Sequence, residues 1–145
     1  KKGFVTGAAR GIGKCTAKGF AEAGADVAIV DMDIAEAEKT AKELAELTGK
    51  KIIAIKCDVT NESEVQSMVD KVVAELGGLN FCHANAGICI NEPADKMTYA
   101  QWLKVINVNL NSVFLKKTFP SKRFPAFSAI LPFKGKLPLF MNFGN

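Results

Sequence analysis

The sequence predicts an α/β fold: a doubly wound parallel sheet with helices on both faces, ending after about four strands. Three observations predict it. Apolar runs and amphipathic stretches alternate in order from residue 3 to about residue 115. The run Val27-Ala28-Ile29-Val30 is apolar at successive rather than alternate positions, as a strand covered on both faces must be. The stretches between the runs are long enough to be the crossovers that parallel neighbours need, and such crossovers are right-handed.

Phe4-Val5 predicts a short first strand leading into Thr6-Gly7, and residues 11–23 a helix closed by Gly24. Val27–Val30 is the second strand and ends in Asp31. Residues 34–48 follow as an amphipathic helix, with Ile34, Ala37, Ala41, Leu44 and Ala45 at helical spacing and Gly49 behind them. Ile52-Ile53-Ala54-Ile55 is the third strand, running to Asp58-Val59. Thr60 or Asn61 caps the next helix, with Glu64 placed for a capping box. Its inward stripe is Val65, Met68, Val69, Val72, Val73 and Leu76, and Gly77-Gly78 ends it. Residues 79–83 predict the fourth strand, which leads to Asn85-Ala86-Gly87; residues 98–116 predict a long helix.

After residue 117 the pattern changes. Residues 118–145 hold four of the five prolines and six of the ten phenylalanines. That spacing forbids a long helix and interrupts central strands, so no strand–helix unit is predicted there. Charge changes as well. Residues 1–95 carry all 15 acids and 11 bases, whereas residues 96–145 carry 8 bases and no acid. The basic cluster Lys116, Lys117, Lys122 and Arg123 reads as a solvated face, and no nucleic-acid partner is expected.

No apolar run approaches the roughly 18 residues of a membrane span, and the first residues lack the apolar stretch of a secretory signal. A soluble, cytoplasmic chain is expected, with no membrane partner. Cys15, Cys57, Cys82 and Cys89 form no C-x-x-C pair and read as thiols, mostly small buried side chains. A single histidine, His83, argues against a metal centre and reads as a core or rim residue of the fourth strand. Trp102 reads as helix packing or a subunit contact.

Thr6-Gly7-Ala8-Ala9-Arg10-Gly11-Ile12-Gly13 places three glycines between a strand and a helix. Glycine lets backbone approach a ligand closely, and the N–H groups at a helix start favour a pyrophosphate. Asp31 stands 18 residues beyond Gly13, at the end of the second strand, where a carboxylate can bond ribose hydroxyls and repel a 2′-phosphate. That argues for NAD over NADP. Arg10 weighs the other way, as a cation able to attract the phosphate.

The spacing T-G-x-x-x-G-x-G resembles the signature of the short-chain dehydrogenase/reductase family. Asp58-Val59, Asn85-Ala86-Gly87 and Asn107-Val108-Asn109-Leu110 match further motifs of that family in order. The resemblance implies a dinucleotide-binding Rossmann half-domain over residues 1–117, with residues 118–145 an unassigned basic, Phe/Pro-rich tail. It implies an NAD site made by Gly7, Arg10, Gly11, Ile12, Gly13, Asp31, Met32, Asp58, Val59, Asn85, Ala86 and Gly87. Asp58-Val59 would contact the adenine, and Asn109 would hold a water in a proton relay as the catalytic residue. The implied chemistry is hydride transfer between nicotinamide and a small secondary alcohol or ketone, and His83–Ile88 resembles members acting on sugars and polyols. A homo-oligomer, dimer or tetramer, is implied too.

That chemistry needs a Ser and a Tyr-x-x-x-Lys downstream of the Asn. The one tyrosine, Tyr99, precedes Asn109 and has Leu103 four residues later, so it reads as helix packing. Ser121 and Ser128 follow Asn109, but no tyrosine follows them. The rival readings are therefore a catalytically inactive NAD-binding fragment and an interaction module using the basic tail.

Overall fold

The computed structural model describes residues 1–115, 128–130 and 141–142. Its elements are β1 (Lys2–Thr6), α1 (Gly11–Glu22), β2 (Asp26–Asp31), α2 (Ile34–Thr48), β3 (Ile52–Lys56), α3 (Glu62–Leu76), β4 (Phe81–His83), α4 (Tyr99–Ile106), β5 (Ser128–Ile130) and β6 (Met141–Asn142). The sheet order is β3-β2-β1-β4-β5-β6, parallel up to β5, with β6 antiparallel at the edge. The chain thus winds outward from β1 in one direction through β2 and β3, and in the other through β4. The doubly wound Rossmann sheet expected from the sequence is what the chain forms.

Side chains alternate across the sheet and divide the core in two. Phe4, Ala28, Val30, Ile55 and Cys82 point to one face, where Val65, Met68, Val69, Val72 and Leu76 of α3 cover them. Val5, Val27, Ile29 and Phe81 point to the other, against Ala17 and Ala21 of α1 and Ala37, Ala41 and Leu44 of α2. This explains the unbroken apolar run of β2: all of Val27–Val30 is fully buried, two residues on each face. Full burial of each large apolar side chain contributes about 1.5–3 kcal/mol, so the two layers dominate the stability of this half.

The predicted helices hold, with details that only packing decides. Asn61 caps α3 by accepting from the N–H groups of Ser63 and Glu64, at 3.0 and 3.3 Å. Glu64, expected to complete a capping box, instead accepts from Asp58 N–H at 2.8 Å and from the Asn61 side-chain amide at 3.2 Å. The fourth strand is shorter than predicted because Asn80 is used across the edge: its N–H donates to Lys2 C=O at 2.7 Å and its side chain accepts from Lys2 N–H at 2.9 Å.

The region beyond β4 departs from expectation in three ways. The long helix begins at a capping box formed by Thr98 and Gln101, but passes into a π-helical turn at Asn107–Asn111. Two side-chain bonds brace that turn: Ser112 Oγ donates to Val108 C=O at 2.6 Å, and Asn111 donates to Asn107 Oδ1 at 2.7 Å. Among the described residues, Tyr99 is not buried by helix packing, and Trp102 keeps of its two expected roles only the subunit contact. They are 74% and 53% exposed, because no residue of α4 is buried. Finally, Ser128–Ile130 adds a parallel strand beside β4. It lies in the proline-free interval between Pro125 and Pro132, where backbone donors remain for a ladder. The basic cluster Lys116, Lys117, Lys122 and Arg123 lies outside the described residues.

Of the cysteines, Cys57 and Cys82 are buried as expected, whereas Cys15 and Cys89 are exposed. His83 is buried and meets Phe20 edge-on, with ring centroids 6.3 Å apart, as a core histidine should. Among the described residues no helix is long and apolar enough to cross a membrane, and no cluster of His, Cys, Asp and Glu could hold a metal ion.

Candidate functional site

At the carboxyl ends of β1, β2 and β4 the strand order reverses, and a cleft opens there, as expected of doubly wound sheets. Its volume is about 880 Å³. Gly7, Arg10, Asp31, Met32, Asp58, Val59, Ala86 and Gly87 all line it. Eight of the sequence-predicted site residues, drawn from four separate loops, therefore share one concavity.

The glycine loop is shaped by close backbone contacts. Gly7 has φ +63°, and a Cβ there would lie 2.9 Å from Ala86 Cα. A Cβ on Gly13 would lie 2.2 Å from Gly7 C=O and 2.7 Å from the Asn85 side-chain amide. Neither site admits a side chain without moving backbone. Gly11 is different: it also has positive φ, +58°, but nothing lies within 4 Å of a Cβ placed there. Gly13 and Asn85 stand behind the cleft as its framework, while Gly11 and Ile12 are exposed at the start of α1.

The loop is tied to β4 by long-range bonds. Thr6 Oγ1 accepts from the N–H groups of both Asn85 and Ala86, each at 3.1 Å. The Asn85 side-chain amide donates to Thr6 C=O at 2.9 Å and Gly7 C=O at 3.1 Å. Thr40, a buried residue of α2, donates its hydroxyl to Ala9 C=O at 2.6 Å. Sequence reasoning missed Thr40. The available signal was its place in the buried stripe Ala37, Thr40, Ala41, Leu44, since a buried hydroxyl must find a partner.

Among the described helices α1 to α4, α1 alone lacks a side-chain cap, and its first turn holds no acid. Its N–H groups and the helix dipole suit an anion. The open space at Gly11 lies at that same end. Asp31 links the loop to the β2–α2 turn: one carboxylate oxygen accepts from Ala9 N–H at 3.1 Å and the other from Asp33 N–H at 3.2 Å. Arg10 lines the cleft together with Asp31 but forms its ion pair with Asp33. On the far rim, Asp58 Oδ1 accepts from the hydroxyl and N–H of Thr60, at 2.7 and 2.9 Å.

Across the cleft, Ala100, Leu103, Lys104, Asn107 and Val108 of the long helix also line it. Their spacing is helical, and that periodicity was the overlooked signal for a fourth wall. Asn109 lies on the adjacent face of the π turn. Its side-chain oxygen accepts from Ile88 N–H at 2.8 Å and its amide donates to Ile88 C=O at 2.9 Å. This reciprocal pair fixes the Asn85-Ala86-Gly87 loop to the helix. An amide has two donors and two lone pairs, so one of each remains for a further partner.

The cleft fits a dinucleotide: a cradle that a Cβ would fill, uncapped helix N–H groups for phosphates, and a carboxylate at the end of β2 for a ribose. Gly7, Gly11 and Ile12 would hold the pyrophosphate in front of the Gly13 and Asn85 framework, Asp31 and Met32 the ribose, and Asp58 and Val59 the base.

Known proteins agree with this geometry. The family profile described as short chain dehydrogenase matches residues 1–119. An uncharacterized oxidoreductase of Schizosaccharomyces pombe is 40% identical over 114 residues, which are 79% of this chain and 43% of that protein. The sorbose reductase of Candida albicans is 36% identical over 116 residues, 79% of this chain and 41% of the enzyme. The chain thus spans under half the length of these relatives. A short-chain type dehydrogenase/reductase structure from Mycobacterium marinum superposes with a TM-score of 0.86 at 28% identity, covering 99% of this chain and 62% of that one. Solved structures of a short chain dehydrogenase from Burkholderia cenocepacia, in complex with NADP, and of a 3-ketoacyl-(acyl-carrier-protein) reductase from Brucella melitensis, complexed with NADH, are 34% and 30% identical, with TM-scores of 0.79 and 0.78. They cover 84% and 85% of this chain, and the chain covers 50% and 49% of theirs. This chain belongs to the short-chain dehydrogenase/reductase family.

Proposed function

We propose that the protein is an NAD(H)-dependent oxidoreductase that moves hydride between nicotinamide and the carbon of a small secondary alcohol or ketone. The observation that carries the choice of NAD is Asp31. Its carboxylate lines the cleft and is held by N–H bonds from the loops on both sides. A fixed negative charge there accepts from ribose hydroxyls and repels a 2′-phosphate. The cofactor, when bound, supplies the hydride chemistry; the chain supplies binding, orientation and a proton path. Asn109 serves that path by anchoring Ile88 while keeping one donor and one acceptor for a water.

Sugars or polyols are the substrate class favoured by His83–Ile88 and by the relation to a sorbose reductase. The exposed Tyr99, Trp102, Leu110 and Phe114 on α4 and its continuation support association into a homo-oligomer. The second reading is an NAD-binding protein without catalysis.

Titration of the purified protein with NADH and NADPH tests the cofactor: tighter NADH binding is expected, and equal or tighter NADPH binding would refute it. Turnover of NAD with a polyol panel separates the readings, since binding without turnover favours the second.

A further inference from the structure

Two acids flank the β2–α2 turn and do different work. Asp31 faces the cleft. Asp33 is not among the cleft-lining residues; one of its oxygens caps α2 by accepting from Glu36 N–H at 3.2 Å, and the other pairs with the Arg10 guanidinium. Arg10 does line the cleft and is the only cation of the glycine loop. Only its Nη2 donates to Asp33, but the guanidinium is a rigid planar fork, so holding one nitrogen sets the direction in which the other donors point. The helix cap fixes the carboxylate, and Arg10 is drawn to the start of α2.

We propose that Asp33 is a specificity-determining positioning residue, tethering Arg10 so that the cation does not pair with a 2′-phosphate at the Asp31 site. The proposal rests on the reading of this cleft as a nicotinamide dinucleotide site. Discrimination against NADP then has two parts: a fixed repulsion from Asp31 and a removable tether at Asp33. The Arg10–Asp33 pair is substantially exposed, with side chains 69% and 49% accessible, so breaking it does not require unfolding.

The test is a pair of substitutions, Asp33→Asn and Asp33→Ser, each keeping an oxygen able to cap α2 while removing the charge. NADH and NADPH dissociation constants are measured by nicotinamide fluorescence, with and without Arg10→Ala. The ratio of NADPH to NADH affinity is expected to rise about tenfold when Arg10 is present, the scale of one charge-assisted hydrogen bond to phosphate. It should not rise with Arg10→Ala. An unchanged ratio with Arg10 present overturns the tether. An equal rise in both backgrounds also overturns it, because loss of a negative charge would then suffice. A purely structural role would weaken both cofactors together and leave the ratio unmoved. A parent protein that binds neither dinucleotide refutes the cofactor reading itself, and the tether with it, before any substitution is made.

Discussion

The two walls of the cleft are built differently. The wall of β1, β2, β4 and their loops is braced throughout: Thr6 is fully buried and accepts two backbone N–H groups, Gly13 sits against Gly7 C=O, and Asp31 joins two loops. The opposite wall, α4 and its π turn, buries no residue of α4 and is tied to the loop after β4 by the reciprocal bonds between Asn109 and Ile88. One wall has its backbone polar groups satisfied across long sequence separations. The other presents apolar surface, with Trp102, Leu110 and Phe114 all more than half exposed. Under the proposed function, preorganised phosphate binding would belong to the first wall, and contacts made on assembly or on substrate binding to the second.

The largest effect should come from breaking the braced wall at its tightest point. Gly13→Ala would force a Cβ to 2.2 Å from Gly7 C=O, and we expect a loss of about 3 kcal/mol or more, at the severe end for overpacking. Urea denaturation measures it; a wild-type midpoint would show that the loop is looser than described. Thr6→Val comes next. It keeps the volume but strands the N–H of Ala86, while Asn85 N–H keeps His83 C=O at 3.1 Å, at a cost of about 1–3 kcal/mol, and thermal unfolding that matches the parent would refute the bracing role.

Gly11→Ala sharpens the contrast within the loop itself. Its positive φ costs about 1 kcal/mol, yet no protein atom opposes the new methyl. Stability should fall little while NADH affinity falls markedly. If calorimetric titration found affinity intact, the open space would not be where the pyrophosphate lies. On the other wall, Asn109→Ala should cost about 1 kcal/mol, the net worth of an ordinary hydrogen bond, while lowering turnover of any active form more than NADH binding. The smallest effect on stability belongs to Trp102→Ser, within about 0.5 kcal/mol for a surface position. Its signature should be a lower mass by light scattering, and an unchanged mass would remove Trp102 from the proposed interface.

Much of the braced wall was legible in sequence because it is made of local patterns. Burial on both faces wrote four apolar residues in a row into β2, and the 3.6-residue period of α3 named its core stripe, with Val73 only partly buried. The glycine spacing and the position of Asp31 identified the cleft. What escaped was carried by single side chains reaching far along the chain. Thr40 bonds a carbonyl 31 positions away, and Arg10 pairs with Asp33, 23 positions away; nearer by, Glu64 keeps the Asn61 side chain but takes Asp58 N–H in place of the Asn61 backbone. The exposure of Tyr99 escaped too, since amphipathic spacing says that a helix has an apolar face but not what covers it.

By itself, then, the sequence determined the order of strands and helices, the two-faced core and the residues that gather at the switch point, because backbone periodicity and side-chain hydrophobicity are local properties. Only the tertiary structure decided which polar atoms meet, where α4 relaxes into a π turn, and that Asp31 and Asp33 divide their work. Those outcomes depend on the sheet order β3-β2-β1-β4, which brings Thr6 beside Asn85 across 79 positions of chain, and no local pattern encodes that meeting.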